Sequence, residues 1–291
     1  MTANGTLRVE RQATPAAFLE AAGAFLVERE AEHNLIFGIC ATLGADPGYA
    51  SEPYLATVSK AGRVVGGAVM TPPWNLVLSC TDEPDAPAAL ATDLDARRIT
   101  VPGATGPVDV ARRFAEVWCR THGLERGPRI AERIYRLERV VPPDGVGGTV
   151  RVATEADRDL LIEWVGAFAD EALDRADPEG AAAMVDRSFR AGTRTWYLWE
   201  DGVPVSVAAA GGPTPNGIRI GPVYTPPEHR RHGYASALTA AVSQAELDKG
   251  RRFVFLFTDL SNPTSNKIYQ SIGYEPVIDV DHITFVPADA G

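Results

Sequence analysis

Between Ile218 and Ala235 the chain reads IRIGPVYTPPEHRRHGYA, a stretch built to grip an anion. A loop whose glycine stands where a helix opens leaves several backbone N–H groups unpaired and aimed at one spot, with the positive end of the helix dipole behind them. Phosphate is the group such a place holds. Gly233 would let the backbone approach the anion closely, Ala235 would keep the turn slim, and Arg230 and Arg231 would add positive charge.

Two strands and two helices must position this loop. Residues 218–223 alternate apolar and other side chains, which predicts a half-buried strand. The Pro226-Pro227 pair ends the ladder because proline lacks an N–H, so the strand stops near Thr225. From Tyr234 an Ala-rich run without Gly or Pro continues to Gly250 and predicts a helix. Residues 251–258 (RRFVFLFT) predict a buried strand, followed by a turn, a short helix and a glycine stop at Gly273.

The spacing Arg230-x-x-Gly233-x-Ala235 resembles the coenzyme A pyrophosphate loop of the GNAT N-acetyltransferase superfamily. Asn262-x-x-Ser265-x-x-Ile268-Tyr269-x-x-x-Gly273-Tyr274 is similar to that superfamily's second signature. The resemblance covers residues 149–291. It implies an α+β domain with a mixed, mostly antiparallel central sheet flanked by helices, and acetyl-CoA as acyl donor. By resemblance, the pyrophosphate falls on the N–H groups of Arg231, His232, Gly233, Tyr234, Ala235 and Ser236. Val223, Tyr224 and Thr225 would hold the pantetheine arm and the thioester, with the Val223 N–H as oxyanion donor. Asn262 would bond the pantetheine chain, and Tyr269 would give a proton to the departing thiolate.

The resemblance fails at the general base. Some family members carry a glutamate on the central strand, whereas residues 218–224 hold none. Glu171, Asp259 or a water chain remain as candidates. His229 and His232 read as loop residues beside the phosphates, and His33, His122 and His282 show no metal spacing. Cys40, Cys80 and Cys119 stand in apolar surroundings outside residues 149–291. They read as free core thiols, so direct attack in a ternary complex is expected rather than an acyl-enzyme.

At 291 residues the chain can form two domains, each with its own core. The turn formers of residues 141–148 (VPPDGVGG) mark a linker. Domains are therefore expected over 1–140 and 149–291. The halves repeat an order of helices, a Tyr-Leu strand, a Gly turn, a Val-rich strand, a further strand and a Gly-bearing loop before a helix. Two tandem GNAT-like copies are the reading. In the first, helical patterns over 14–43, a hairpin about Lys60–Arg63, strands at 75–79 and 99–101, helices at 88–95 and 108–122, and a strand at 132–140 are expected. Its counterpart loop is placed at residues 102–107, where Pro107 removes a donor and Asp109 opposes an anion, so this copy reads as degenerate.

The net charge of −10 argues against non-specific nucleic-acid binding. No apolar run nears the roughly 20 residues that span a bilayer, and the N-terminus lacks a signal-peptide pattern, so a cytoplasmic location is expected. Acid gathers over residues 155–186, and Glu171 and Asp174 there would favour a cationic amine, small molecule or peptide. A homodimer stays open. A coenzyme-A-binding sensor without turnover is the alternative reading.

Overall fold

The computed structural model describes residues 5–50, 52–173 and 177–288, which form two compact units. The elements of the first half are β1 (Leu7–Arg11), α1 (Pro15–Val27), α2 (Asn34–Ala45), β2 (Tyr54–Lys60), β3 (Arg63–Met70), β4 (Leu76–Leu78), α3 (Ala86–Ala96), β5 (Gly103–Pro107), α4 (Val108–His122) and β6 (Leu124–Leu137). Those of the second are β7 (Thr149–Val152), α5 (Arg158–Leu173), α6 (Pro178–Ala191), β8 (Arg194–Asp201), β9 (Val203–Gly211), β10 (Gly217–Tyr224), α7 (Tyr234–Asp248), β11 (Phe253–Asp259), α8 (Pro263–Ser271) and β12 (Glu275–Pro287). The three cysteines are buried and free.

The contact units divide the chain differently from the expected domains. Residues 1–134 are joined by 258–261 and 277–291 in the first unit, while 135–257 and 262–276 make the second. The chain's last strand thus serves the first unit, where β12 pairs antiparallel with β5 from Val280↔Pro107 to Thr284↔Gly103.

Strand order in the first unit is β1-β2-β3-β4-β5-β12-β6. Alternation along β2 sends Tyr54, Ala56 and Val58 to one face and Leu55 to the other. The first set packs with Leu90 and Leu94 of α3 and with Phe114 and Trp118 of α4. Leu55 packs with Phe18, Leu26, Ile36 and Phe37 of α1 and α2. Helices on both faces explain why β2 reads as a nearly continuous buried run.

The second unit repeats that plan in the order β11-β10-β9-β8-β7. Tyr197 and Trp199 of β8 join Leu238 and Val242 of α7 and Ile272 and Tyr274 beyond α8. Trp196 and Leu198 turn to the opposite face, against Leu161, Trp164 and Val165 of α5 and Val185 of α6. Helix α5 is launched by a capping box: Thr154 N–H donates to Asp157 at 2.8 Å, and Arg151 holds the same carboxylate through two bonds of 2.7 Å.

Two expectations for the first half need correction. No strand forms at residues 99–101; the strand is β5, in the stretch read as a glycine loop. Its glycines serve close packing rather than turning. A Cβ at Gly103 would lie 2.3 Å from the Ile283 carbonyl oxygen, and one at Gly106 2.9 Å from that of Leu78. In addition, β4 is parallel to β5 with α3 between them, as β10 is parallel to β11 with α7 between them. The counterpart of the loop before α7 is therefore residues 79–85, before α3, and Asp109 does not stand in it. That loop holds Asp82, Glu83 and Asp85, with Pro87 in the first turn of α3.

Candidate functional site

Strand β10 is where the second unit departs from a regular sheet. It pairs with β11 only over Gly217↔Phe253, Ile218↔Val254 and Arg219↔Phe255. On its other side it stays with β9 as far as Tyr224↔Val207, but the register shifts between Ile220↔Ala210 and Val223↔Ala208. Two residues of β10, Gly221 and Pro222, face one of β9 there, which is a bulge that bends the strand. The Gly221-Pro222 bond is cis. Beyond Arg219 the edge of β10 toward β11 is open.

Several groups fix this bent end. Arg194 donates to the Gly221 carbonyl at 2.8 Å. The buried Ser206 hydroxyl donates to the Tyr224 carbonyl at 2.9 Å and meets the Thr225 hydroxyl at 2.9 Å. The Thr225 carbonyl accepts from Arg230 Nε at 2.9 Å. The carbonyls of Tyr224 and Thr225 thus each accept one hydrogen bond that holds this end in place. Ser206 was not anticipated, although a lone hydroxyl inside the apolar run 203–210 is a readable signal.

The loop then delivers its cradle. Gly233 has φ +84° at the N-cap of α7, and Arg231 has φ +68°. Among the described residues no side chain caps this helix. The first hydrogen bond into it is Ala237 N–H to the Gly233 carbonyl at 3.0 Å, and the N–H groups of Arg231, His232, Gly233, Tyr234, Ala235 and Ser236 have no backbone acceptor. Glycine is required at 233 on two counts. Its backbone is left-handed, and a Cβ would come within 2.9 Å of Val146 Cγ2. An open ring of N–H donors suits a diphosphate, so these residues fit the group the sequence implies.

Side chains around the cradle are arranged otherwise than expected. The Arg230 guanidinium is paired: its Nη2 reaches both carboxylate oxygens of Glu171 at 2.9 and 2.6 Å. Its guanidinium also lies 5.8 Å from the centre of the Tyr224 ring, whose hydroxyl donates to Glu171 at 3.2 Å. Burial, and then the Glu171 carboxylate, raises the Tyr224 phenol above its ordinary range. Glu171, Arg230 and Tyr224 therefore form one cluster at the open end of β10. Asp174 lies outside the described residues. Tyr234 donates to Asp201 at 2.5 Å and stacks on His232.

Asn262 is the N-cap of α8, its side-chain oxygen accepting from Ser265 N–H at 3.0 Å. Its amide nitrogen is left for another partner. Tyr269 is partly buried among the core of this unit and packs edge-on against Tyr274 at 6.0 Å. Among the described residues its hydroxyl bonds to nothing, and burial pushes the phenol up to about 12. Asp259 belongs to the first contact unit and accepts from Ser261 N–H at 2.7 Å in a tight turn.

The model of the FR47-like protein family matches residues 204–283, a span that holds β10, the cradle and α8. No curated protein sequence matches the chain. Among solved structures, the chain is similar to a tandem GNAT protein from the clavulanic acid biosynthesis pathway, at 16% identity and a TM-score of 0.55 over 98% of this chain and 99% of that one. A GCN5-related N-acetyltransferase from Sphaerobacter thermophilus aligns at 16% identity and a TM-score of 0.59, over 97% and 96%. Another from Kribbella flavida gives 22% identity and a TM-score of 0.52, over 77% and 88%. The fold is that of the GNAT superfamily. Two GNAT-like units in tandem account for the repeated plan of helix pairs, hairpin and parallel strand–helix–strand. Among the described residues no helix is long and apolar enough to cross a membrane.

Proposed function

We propose that the chain is an acetyl-CoA-dependent N-acetyltransferase whose catalytic machinery lies within residues 149–291, with residues 1–140 a degenerate copy. One observation carries this reading: β10 parts from β11 after Arg219, and the next helix opens with N–H groups at residues 231–236 that have no backbone acceptor among the described residues. In this reading the N–H groups of residues 231–236 hold the coenzyme's diphosphate, and residues 223–225 and Asn262 flank its pantetheine arm. The thioester supplies the activated acetyl group. The Val223 N–H polarises its carbonyl, Tyr269 returns a proton to the leaving sulfur, and the amine attacks directly.

Glu171 is the residue of the acidic segment that faces this end of β10, through Tyr224 and Arg230. In this reading Glu171 receives a cationic primary amine, small molecule or peptide, by exchanging Arg230 for it, and Asp259, which belongs to the first unit, is set aside as a base. The degenerate copy has Asp82, Glu83 and Asp85 where an anion would have to sit. A second reading, a coenzyme-A-binding sensor without turnover, draws on the unbonded Tyr269, whose phenol at about 12 is a poor acid. Thiol release from acetyl-CoA over a panel of cationic amines separates the two. Turnover that saturates with amine, and whose KM rises in Glu171→Gln, supports the enzyme; binding of acetyl-CoA with no thiol released on any amine supports the sensor.

A further inference from the structure

The first unit holds a cavity of about 300 Å³ whose lining includes Arg112, Arg126, Gly127, Arg129 and Ile283. It belongs to none of the elements given a role above. Three guanidiniums gather there from two elements, α4 and β6, against the wall of β12. Nothing in the sequence pattern of the coenzyme loop leads to it.

A buried carboxylate sets the geometry. Asp281, with no exposed side-chain surface, accepts from Arg112 Nε at 2.7 Å through one oxygen and from Arg129 Nη1 at 2.7 Å through the other. Each arginine spends one nitrogen on Asp281 and keeps two free, while both side chains remain about half exposed. Arg126 is exposed, and among the described residues it has neither an ion-pair nor a hydrogen-bond partner. Gly127 keeps the strand close to β12, since a Cβ there would come within 2.8 Å of Thr284 and Val286 side-chain atoms. Three positive groups against one carboxylate leave a surplus of two charges facing the cavity.

We propose that this pocket binds a small dianion of the phosphomonoester class. Planar guanidiniums with paired N–H donors match phosphate oxygens, and a carboxylate behind them holds two in place so that less side-chain freedom is lost on binding. A double negative charge balances the surplus. A volume near 300 Å³, at the small end of ligand sites, takes a phosphate with a modest organic group. Arg126 is the arm that recruits the ligand, and Arg112 and Arg129 are the fixed base.

The test is calorimetric titration of the full chain with inorganic phosphate and with phenyl phosphate in low-salt buffer free of other polyvalent anions. Because the donors before α7 can also take phosphate, the same titrations are run in a Gly233→Asp chain. Phosphate binding should persist there, fall roughly ten- to hundredfold in Arg126→Glu with the loss of charge-assisted hydrogen bonds, and recover partly in Arg126→Lys. Tighter binding of phenyl phosphate than of phosphate marks an organic ligand; equal binding marks phosphate itself. Arg126 is exposed and unpartnered, so an unchanged melting temperature is expected in its variants, and Arg126→Gln serves if Arg126→Glu does not fold. A Gly233→Asp chain that binds no phosphate, or an Arg126 variant that titrates like the parent, overturns the proposal without touching the acetyltransferase reading.

Discussion

Tyr269 shows how a residue's environment revises its chemistry. A phenol of ordinary acidity would protonate a thiolate at little cost, but burial holds this one up to about 12, roughly three units above a free thiol, or about 4 kcal/mol. In the proposed reaction the transfer requires that a thiolate departing into the same apolar surroundings be destabilised as well. Tyr269→Phe is expected to lower kcat by about 10²–10⁴ while leaving acetyl-CoA affinity as it was; an unchanged kcat would return Tyr269 to a packing role. Since the phenol stays protonated across roughly pH 7–10, any basic limb of the rate profile in that window must come from another group. The glycine and tyrosine positions were legible because their spacing is local. The partnership of Arg230 with Glu171 was not, because the two lie 59 positions apart and only the folded α5 brings them together.

At the scale of elements, what the sequence conveyed depended on how each element advertises itself. Helix α4 carries strong periodicity, α7 an Ala-rich run free of Gly and Pro, and the hairpin β2-β3 a glycine turn, and all three sit where they were expected. Strand β5 did not, because in GATGP two glycines and a proline outweigh the single β-branched Thr105; its glycines are there so that Leu78 and Ile283 can approach. The start of α5 offers a test in which sign matters. Arg151, with help from the Thr154 N–H, holds the Asp157 carboxyl down at about 2, against 3.8 unperturbed. A depressed carboxylate stabilises the fold above its unfolded value and loses that contribution as pH falls through its folded one. The loss should therefore fall between about pH 4 and pH 2 and amount to about 2 kcal/mol. Asp157→Asn should melt lower at neutral pH by that order and match the parent at pH 2; equal melting at neutral pH would show that the box contributes nothing.

For the molecule as a whole, the tandem arrangement was legible from the internal repeat, but the destination of the last strand was not. Nothing in EPVIDVDHITFVP says which sheet it joins, since pairing partners are chosen by register and burial far away in sequence. Its partner is β5, and Val280, Asp281 and Ile283 are buried there. A fragment of residues 149–291 therefore carries a strand stripped of its partner, with apolar side chains and an open edge exposed. Size-exclusion chromatography with light scattering should find that fragment aggregated or oligomeric where the full chain is not. A monomeric fragment with a cooperative melt would mean that β12 is satisfied without β5.

The central claim is that the donors of residues 231–236 grip a diphosphate, and calorimetric titration with acetyl-CoA addresses it most directly. The parent chain should bind one equivalent, more weakly as salt rises, and Gly233→Asp should abolish the heat by adding a side chain and a negative charge where the anion belongs. Binding that survives Gly233→Asp unchanged, or no binding by the parent, would contradict the account.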